Sequence, residues 1–227
     1  MARQRSEKKP APPATRRVPP MIGALLNLAS RIKARLDGYR LERRWESLRR
    51  MGMRIGHNVN LPASTWIDTS HCYLISIGDH SGFGEQCLLL AHDAQMDEFL
   101  DAARIGRIII HPSCHIGSRT TILPGVEIGP RTIVGAGSVV SHSLPPDTVC
   151  AGSPARVLCS LEEYLARHRQ QLASRPKFDY MTHVRYPTPE RRAEQVAAVA
   201  DGDAYVTGGR AAELRGEGGT MRTAPRP

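Results

Sequence analysis

The clearest pattern in the chain is a hydrophobic beat of six, in which Ile110, Ile116, Ile122, Ile128, Val134 and Val140 recur without a slip. An α-helix repeats at about 3.6 residues and a half-buried strand at every second residue, so neither gives this spacing. In the same frame, the position four after each of the first five aliphatics holds Cys114, Thr120, Val126, Thr132 and Ser138, all small or β-branched. Glycine follows the aliphatic at Gly117, Gly129 and Gly135. A period of six predicts an all-β solenoid, a parallel β-helix in which each hexad is one short strand plus a corner and three hexads close a triangular coil. The aliphatic points inward, the small residue packs beside it, and glycine tolerates the tight turn. The beat also runs through Ile55-Gly56, Leu61, Ile67, Ile77-Gly78, Phe83-Gly84 and Leu89. It slips by four residues between Ile67 and Ile77 and breaks from Asp93 to Arg104. Insertions cost a solenoid little at its corners, which makes these two excursions candidate functional loops.

The flanks read differently. Residues 1–20 carry Pro10, Pro12, Pro13, Pro19 and Pro20 among basic residues and read as a disordered leader. From 21 to 51, Ile22, Leu25, Leu28, Ala29, Ile32, Leu36, Tyr39, Trp45 and Leu48 approximate helical spacing between arginines, predicting an amphipathic helix with Gly38 as the place for a break. Residues 52–159 hold the β-helix domain. A helix over 160–175 follows, with Ser160 as N-cap and Glu163 in the capping-box position. Residues 176–227 lose periodicity and read as an irregular, disordered tail.

Charge and cysteine usage narrow the function. The net charge of +9 is concentrated in residues 1–50, which hold 14 Lys/Arg against 4 Asp/Glu. The folded part has no basic footprint, so specific nucleic-acid binding is not expected; the basic helix allows peripheral contact with a membrane surface. The run Met21 to Leu26 falls far short of the ~20 apolar residues a membrane-spanning helix needs. Cys72, Cys87, Cys114, Cys150 and Cys159 are odd in number, contain no CxxC pair and follow no signal peptide, and read as reduced thiols of a cytoplasmic protein.

The blocks Ile67-Asp68-Thr69-Ser70-His71-Cys72, Ile75-Ser76-Ile77-Gly78-Asp79, Leu90-Ala91-His92-Asp93-Ala94, Ile116-Gly117 through Ile128-Gly129, Val134-Gly135-Ala136-Gly137-Ser138-Val139-Val140 and Ala151-Gly152-Ser153-Pro154-Ala155-Arg156-Val157 extend the pattern beyond periodicity. Over about residues 50–160 the chain resembles the hexapeptide-repeat acyltransferases, in particular the polysaccharide-biosynthesis O-acetyltransferases akin to galactoside and maltose acetyltransferases. The resemblance implies a left-handed parallel β-helix, acetyl-CoA as co-substrate with no metal, a sugar or glycan hydroxyl as acceptor, and a homotrimer.

It also implies site residues. His92 stands where the family has its general base, at a strand end where the repeat breaks into the 93–104 excursion. Acetyl transfer to a hydroxyl needs a base that is neutral near the working pH, which histidine supplies. Asp68 and His71 fall in the segment the resemblance places near the acceptor, where Asp68 either binds sugar hydroxyls or orients His92. Glu85 and Asp93 are further candidates for holding the imidazole. Carry-over for coenzyme A falls on Ser118, Ala136, Ser141 and Arg156, the last as a phosphate contact. The chain departs from the family at His115, where an aromatic is frequent, at His111, where glycine is, and at Ser153, where asparagine is usual. Two other readings remain: a zinc enzyme of the γ-carbonic anhydrase type using His92, His111 and His115, and a catalytically silent β-helix scaffold.

Overall fold

The structure, a computed structural model, describes residues 20–209, so the leader to residue 19 and the tail from residue 210 lie outside the described residues. The described chain divides after Arg40 into two compact units. Helix α1 (Pro20–Arg50) runs through Gly38 without the expected break, because one exposed glycine costs a helix interior only ~1 kcal/mol. The second unit begins at Leu41 within this helix.

The strands of the repeat are β1 (Arg54–Ile55), β2 (Trp66–Ile67), β3 (Ile75–Ile77), β4 (Gly82–Phe83), β5 (Leu88–Leu89), β6 (His92–Asp93), β7 (Arg104–Ile105), β8 (Ile108–Ile110), β9 (His115–Ile116), β10 (Thr121–Ile122), β11 (Glu127–Ile128), β12 (Ile133–Val134), β13 (Val139–Val140), β14 (Thr148–Gly152) and β15 (Ala155–Ser160). Thirteen of them form three sheets, β1-β3-β8-β11, then β4-β9-β12-β14-β15, then β2-β5-β10-β13, and β6 pairs with β7 apart from these. All pairs in these sheets are parallel except the closing β14–β15 pair. Successive hexads therefore pass to the first, second and third sheet in turn. Ile77, Ile110 and Ile128 stack on the first, Phe83, Ile116 and Val134 on the second, and Ile67, Leu89, Ile122 and Val140 on the third. All of these side chains are buried.

The small residues of the hexad are buried at the corners, where their polar atoms satisfy the turn carbonyls. Thr120 Oγ1 donates to the Gly117 carbonyl at 2.7 Å, Ser138 Oγ to that of Gly135 at 2.6 Å, and Cys114 Sγ to that of Gly129 at 3.0 Å. The glycines after the aliphatics serve a different purpose from the one expected. Gly117 and Gly129 are not among the residues with positive φ, a conformation taken instead by Ser113, Arg119 and Arg131. A Cβ on Gly129 would stand 2.5 Å from the Pro146 nitrogen, and one on Gly117 would strike the backbone of Ala136. These glycines let one coil settle on the next.

At the start of the solenoid, Trp45 and Leu48 of α1 join Leu61 and Ile67 in the core, and Arg44 donates to the carbonyls of Ala63 and Thr65, both at 2.7 Å. At the far end of the sheets comes the predicted helix, α3 (Leu161–Ser174); among the described residues, the other α-helices after α1 are α2 (Asp97–Leu100) and α4 (Pro189–Ala198). The capping box at Ser160 and Glu163 is present in both directions. Over residues 176–209 the chain is ordered rather than irregular. β16 (Lys177–Asp179) pairs in parallel with β17 (Tyr205–Thr207), and α4 starts on a Thr188 cap with Pro189 in its first turn. These short elements hold through a pairing between distant residues, which leaves no local period to read.

Candidate active site

Both breaks in the repeat fall at the same edge, where the chain turns from the third sheet to the first. The segment after β2 carries Asp68 and His71, and the longer excursion after β5 carries His92. Because Ile67 is in register with Leu89 and the Asp68 amide donates to the Leu89 carbonyl at 3.0 Å, Asp68 lies one coil from the start of the second excursion. There β6 pairs antiparallel with β7, His92 opposite Ile105, so the His92 backbone is held in a hairpin.

Asp68 is buried, with 1% of its surface exposed. Its Oδ1 accepts from the Ser70 amide at 3.1 Å and its Oδ2 lies 2.5 Å from His92 Nδ1. The His92 side chain is 35% exposed. With Asp68 ionised, Nδ1 carries the hydrogen it donates and Nε2 keeps its lone pair, the tautomer a general base requires. The His71 ring centre lies 4.9 Å from that of His92, and its Nδ1 stands 3.5 Å from Asp68 Oδ2. That nitrogen is buried and makes no hydrogen bond. Burial pushes the Cys72 thiol up, and the nearby Asp68 charge pushes it further. Burial likewise raises Cys87 and Cys114.

The structure sorts the remaining candidates. Asp93 and Glu85 do not orient His92: Asp93 Oδ1 accepts from the Gln95 amide at 3.0 Å, and the Glu85 carboxylate accepts from Ser64 Oγ at a different edge. That second edge, from the second sheet to the third, carries Ser118 and Ala136 on successive coils, both exposed. Ser118 Oγ accepts from the Glu85 amide at 3.1 Å. Beside Ala136, Gly137 has φ +70 and open space where a Cβ would stand. Ser141 follows β13 at the edge of Asp68 and His92, its Oγ 2.9 Å from His142 Nδ1. Arg156 is exposed on β15, with Nη1 on the Ala155 carbonyl at 3.2 Å.

His92, His111 and His115 do not converge. His111 Nε2 pairs with Glu127 Oε1 at 2.6 Å, beside a groove of about 390 Å³ that includes Ser143, Leu144 and Pro145. His115 points outward from β9. Among the described residues, the group that does converge is Asp68, His71 and His92. The sequence left Asp68 two roles, sugar contact or orienting His92; it stands beside the His92 excursion because Ile67 and Leu89 are in register across the four-residue slip.

A parallel three-sheet winding built on hexads, with an Asp–His pair at one edge, defines a hexapeptide-repeat transferase. Residues 107–142 match the family described as bacterial transferase hexapeptide (six repeats). YvoF of Bacillus subtilis (strain 168), provisionally named an acetyltransferase, is 32% identical over 51% of this chain and 64% of its own length. WcaF of Escherichia coli (strain K12), provisionally named a colanic acid biosynthesis acetyltransferase, is 34% identical over 51% of this chain and 74% of its own. The chain thus spans just under two thirds of the first and about three quarters of the second. Among solved structures, the hexapeptide-repeat acetyltransferase VCA0836 of Vibrio cholerae in complex with acetyl coenzyme A is 26% identical, with a TM-score of 0.43 over 53% of this chain and 77% of that one. The chain belongs to the hexapeptide-repeat acetyltransferase family.

Proposed function

We propose that this protein transfers the acetyl group of acetyl-CoA to a hydroxyl of a sugar or polysaccharide precursor, with His92 as general base and Asp68 as the residue that positions it. The observation that carries the reading is the 2.5 Å contact between His92 Nδ1 and the buried carboxylate of Asp68. In this reading, Nε2 takes the acceptor's hydroxyl proton as its oxygen attacks the thioester carbonyl. Asp68 stabilises the imidazolium that forms. Collapse of the tetrahedral intermediate breaks the carbon–sulfur bond, and the proton on Nε2 passes to the departing thiolate. Ser118, Ala136 and Ser141 line the course of the pantetheine arm, and Arg156 meets a phosphate. The sugar acceptor is drawn from WcaF, whose name places it in polysaccharide biosynthesis.

Three broader readings go with this one. The coils wind left-handed, as the family resemblance implies. The active assembly is a homotrimer with its sites between copies. The protein works in the cytoplasm, where acetyl-CoA is made and thiols stay reduced, and the exposed Leu28, Ile32, Leu36 and Tyr39 of α1 support peripheral membrane contact.

The test follows thiol release from acetyl-CoA with a panel of free, nucleotide-linked and lipid-linked sugars. His92→Ala lowers turnover by about 100-fold or more while assembly and acetyl-CoA affinity stay unchanged. Near wild-type turnover in a folded, saturated His92→Ala protein overturns the assignment.

A further inference from the structure

We propose that Asp68, His71 and His92 form a binding site for a divalent transition cation, Zn²⁺ above all, and that its occupation switches the transferase off. One ligand atom from each residue lies within 4.8 Å of the other two. Two imidazoles and a carboxylate are a donor set for zinc rather than for magnesium or calcium, which take oxygen ligands. The separations are close to those required. Zinc bonds of about 2.0–2.1 Å place tetrahedral ligands about 3.3 Å apart. Asp68 Oδ2 and His71 Nδ1 already stand 3.5 Å apart, and the 2.5 Å between Asp68 and His92 must open by less than ~1 Å.

Two independent features point to a cation. His71 Nδ1 is buried without a hydrogen-bond partner while aimed at the carboxylate, an arrangement that costs free energy unless something coordinates it. The Asp68 carboxylate is itself buried, and a buried charge favours a neutralising ion. Three protein donors leave a fourth position open to water.

Inhibition follows from the tautomer. A metal on His92 Nδ1 displaces the hydrogen that position carries, and the neutral ring then holds its hydrogen on Nε2. That atom can donate but no longer accept, so the base is lost without any change in fold. This second half rests on His92 being the base; the binding half does not.

Full-length metal-free protein titrated with ZnCl₂ in a calorimeter takes up one ion per chain with a dissociation constant of about 10 µM or tighter, and Co²⁺ at the same site gives the visible absorption of a tetrahedral complex. His71→Ala and the isosteric Asp68→Asn weaken zinc binding by at least about 100-fold. His57→Ala, at an exposed histidine outside the site, leaves it unchanged. No saturable uptake, or unaltered uptake in both site variants, overturns the proposal. If zinc binds wild-type protein tightly but His92→Ala still transfers acetyl groups, the base assignment fails and the metal site stands. If His92→Ala abolishes transfer and zinc does not bind, the reverse holds.

Discussion

A carboxylate buried as deeply as Asp68 is costly unless it is hydrogen-bonded, and both oxygens accept, one from the Ser70 amide and one from His92. The arrangement fixes which imidazole nitrogen faces the carboxylate and leaves the other to the acceptor. Asp68→Asn tests the charge separately from the shape. An asparagine carbonyl can still accept from Nδ1, but it cannot stabilise an imidazolium, and an asparagine amide facing the ring reverses the tautomer. Turnover should therefore fall by about 10-fold or more, while the KM for acetyl-CoA stays close to wild type. A matching loss of acetyl-CoA affinity would mean that Asp68 shapes the fold instead of serving His92.

The elements show where local signals suffice. The capping box of α3 was visible as Ser160 and Glu163 three residues apart, and each side chain meets the other's backbone. The Ser160 hydroxyl and, after it, the Ser160 amide donate to the Glu163 carboxylate and hold it below the usual carboxylate range. A lowered folded-state value means that the ionised glutamate stabilises the helix above the carboxylate range and loses that effect as the pH falls through its own titration. Ser160→Ala should lower stability, read from urea unfolding, by more at neutral pH than at a pH low enough to protonate Glu163. An equal cost at both would show that the charge plays no part. The membership of the three parallel sheets was equally legible, since a six-residue beat states which residues share a sheet. The meeting of Asp68 with His92 was legible only as one of two roles the resemblance allowed, because 24 positions separate them and the pairing of β2 with β5 brings them together. The elements after 176 were invisible for a related reason: β16 and β17 are three residues each and exist by pairing across the stretch between them.

At the scale of the whole molecule, the proposed machinery is divided between two edges. Asp68, His92 and Ser141 lie where the third sheet turns into the first, and Ser118 and Ala136 where the second turns into the third. The third sheet separates these edges. Its outward ladder in register is Trp66, Leu88, Thr121 and Val139, with Trp66 50% and Leu88 36% exposed. An apolar face flanked by the two halves of a site is what a closed ring of copies would cover, with the cofactor edge of one copy brought to the histidine edge of the next. Light scattering should give three times the chain mass of 25.0 kDa, and Trp66→Glu should lower that mass and abolish transfer together. The decisive measurement mixes two inactive variants, His92→Ala and a cofactor-edge block such as Ala136→Trp. If each site draws His92 from one copy and Ala136 from its neighbour, random trimers from an equal mixture hold both intact residues at about a quarter of their interfaces, and activity returns on co-refolding. If each site lies within one chain, no mixture restores any activity, and the shared-site assembly is wrong even where the trimer is real.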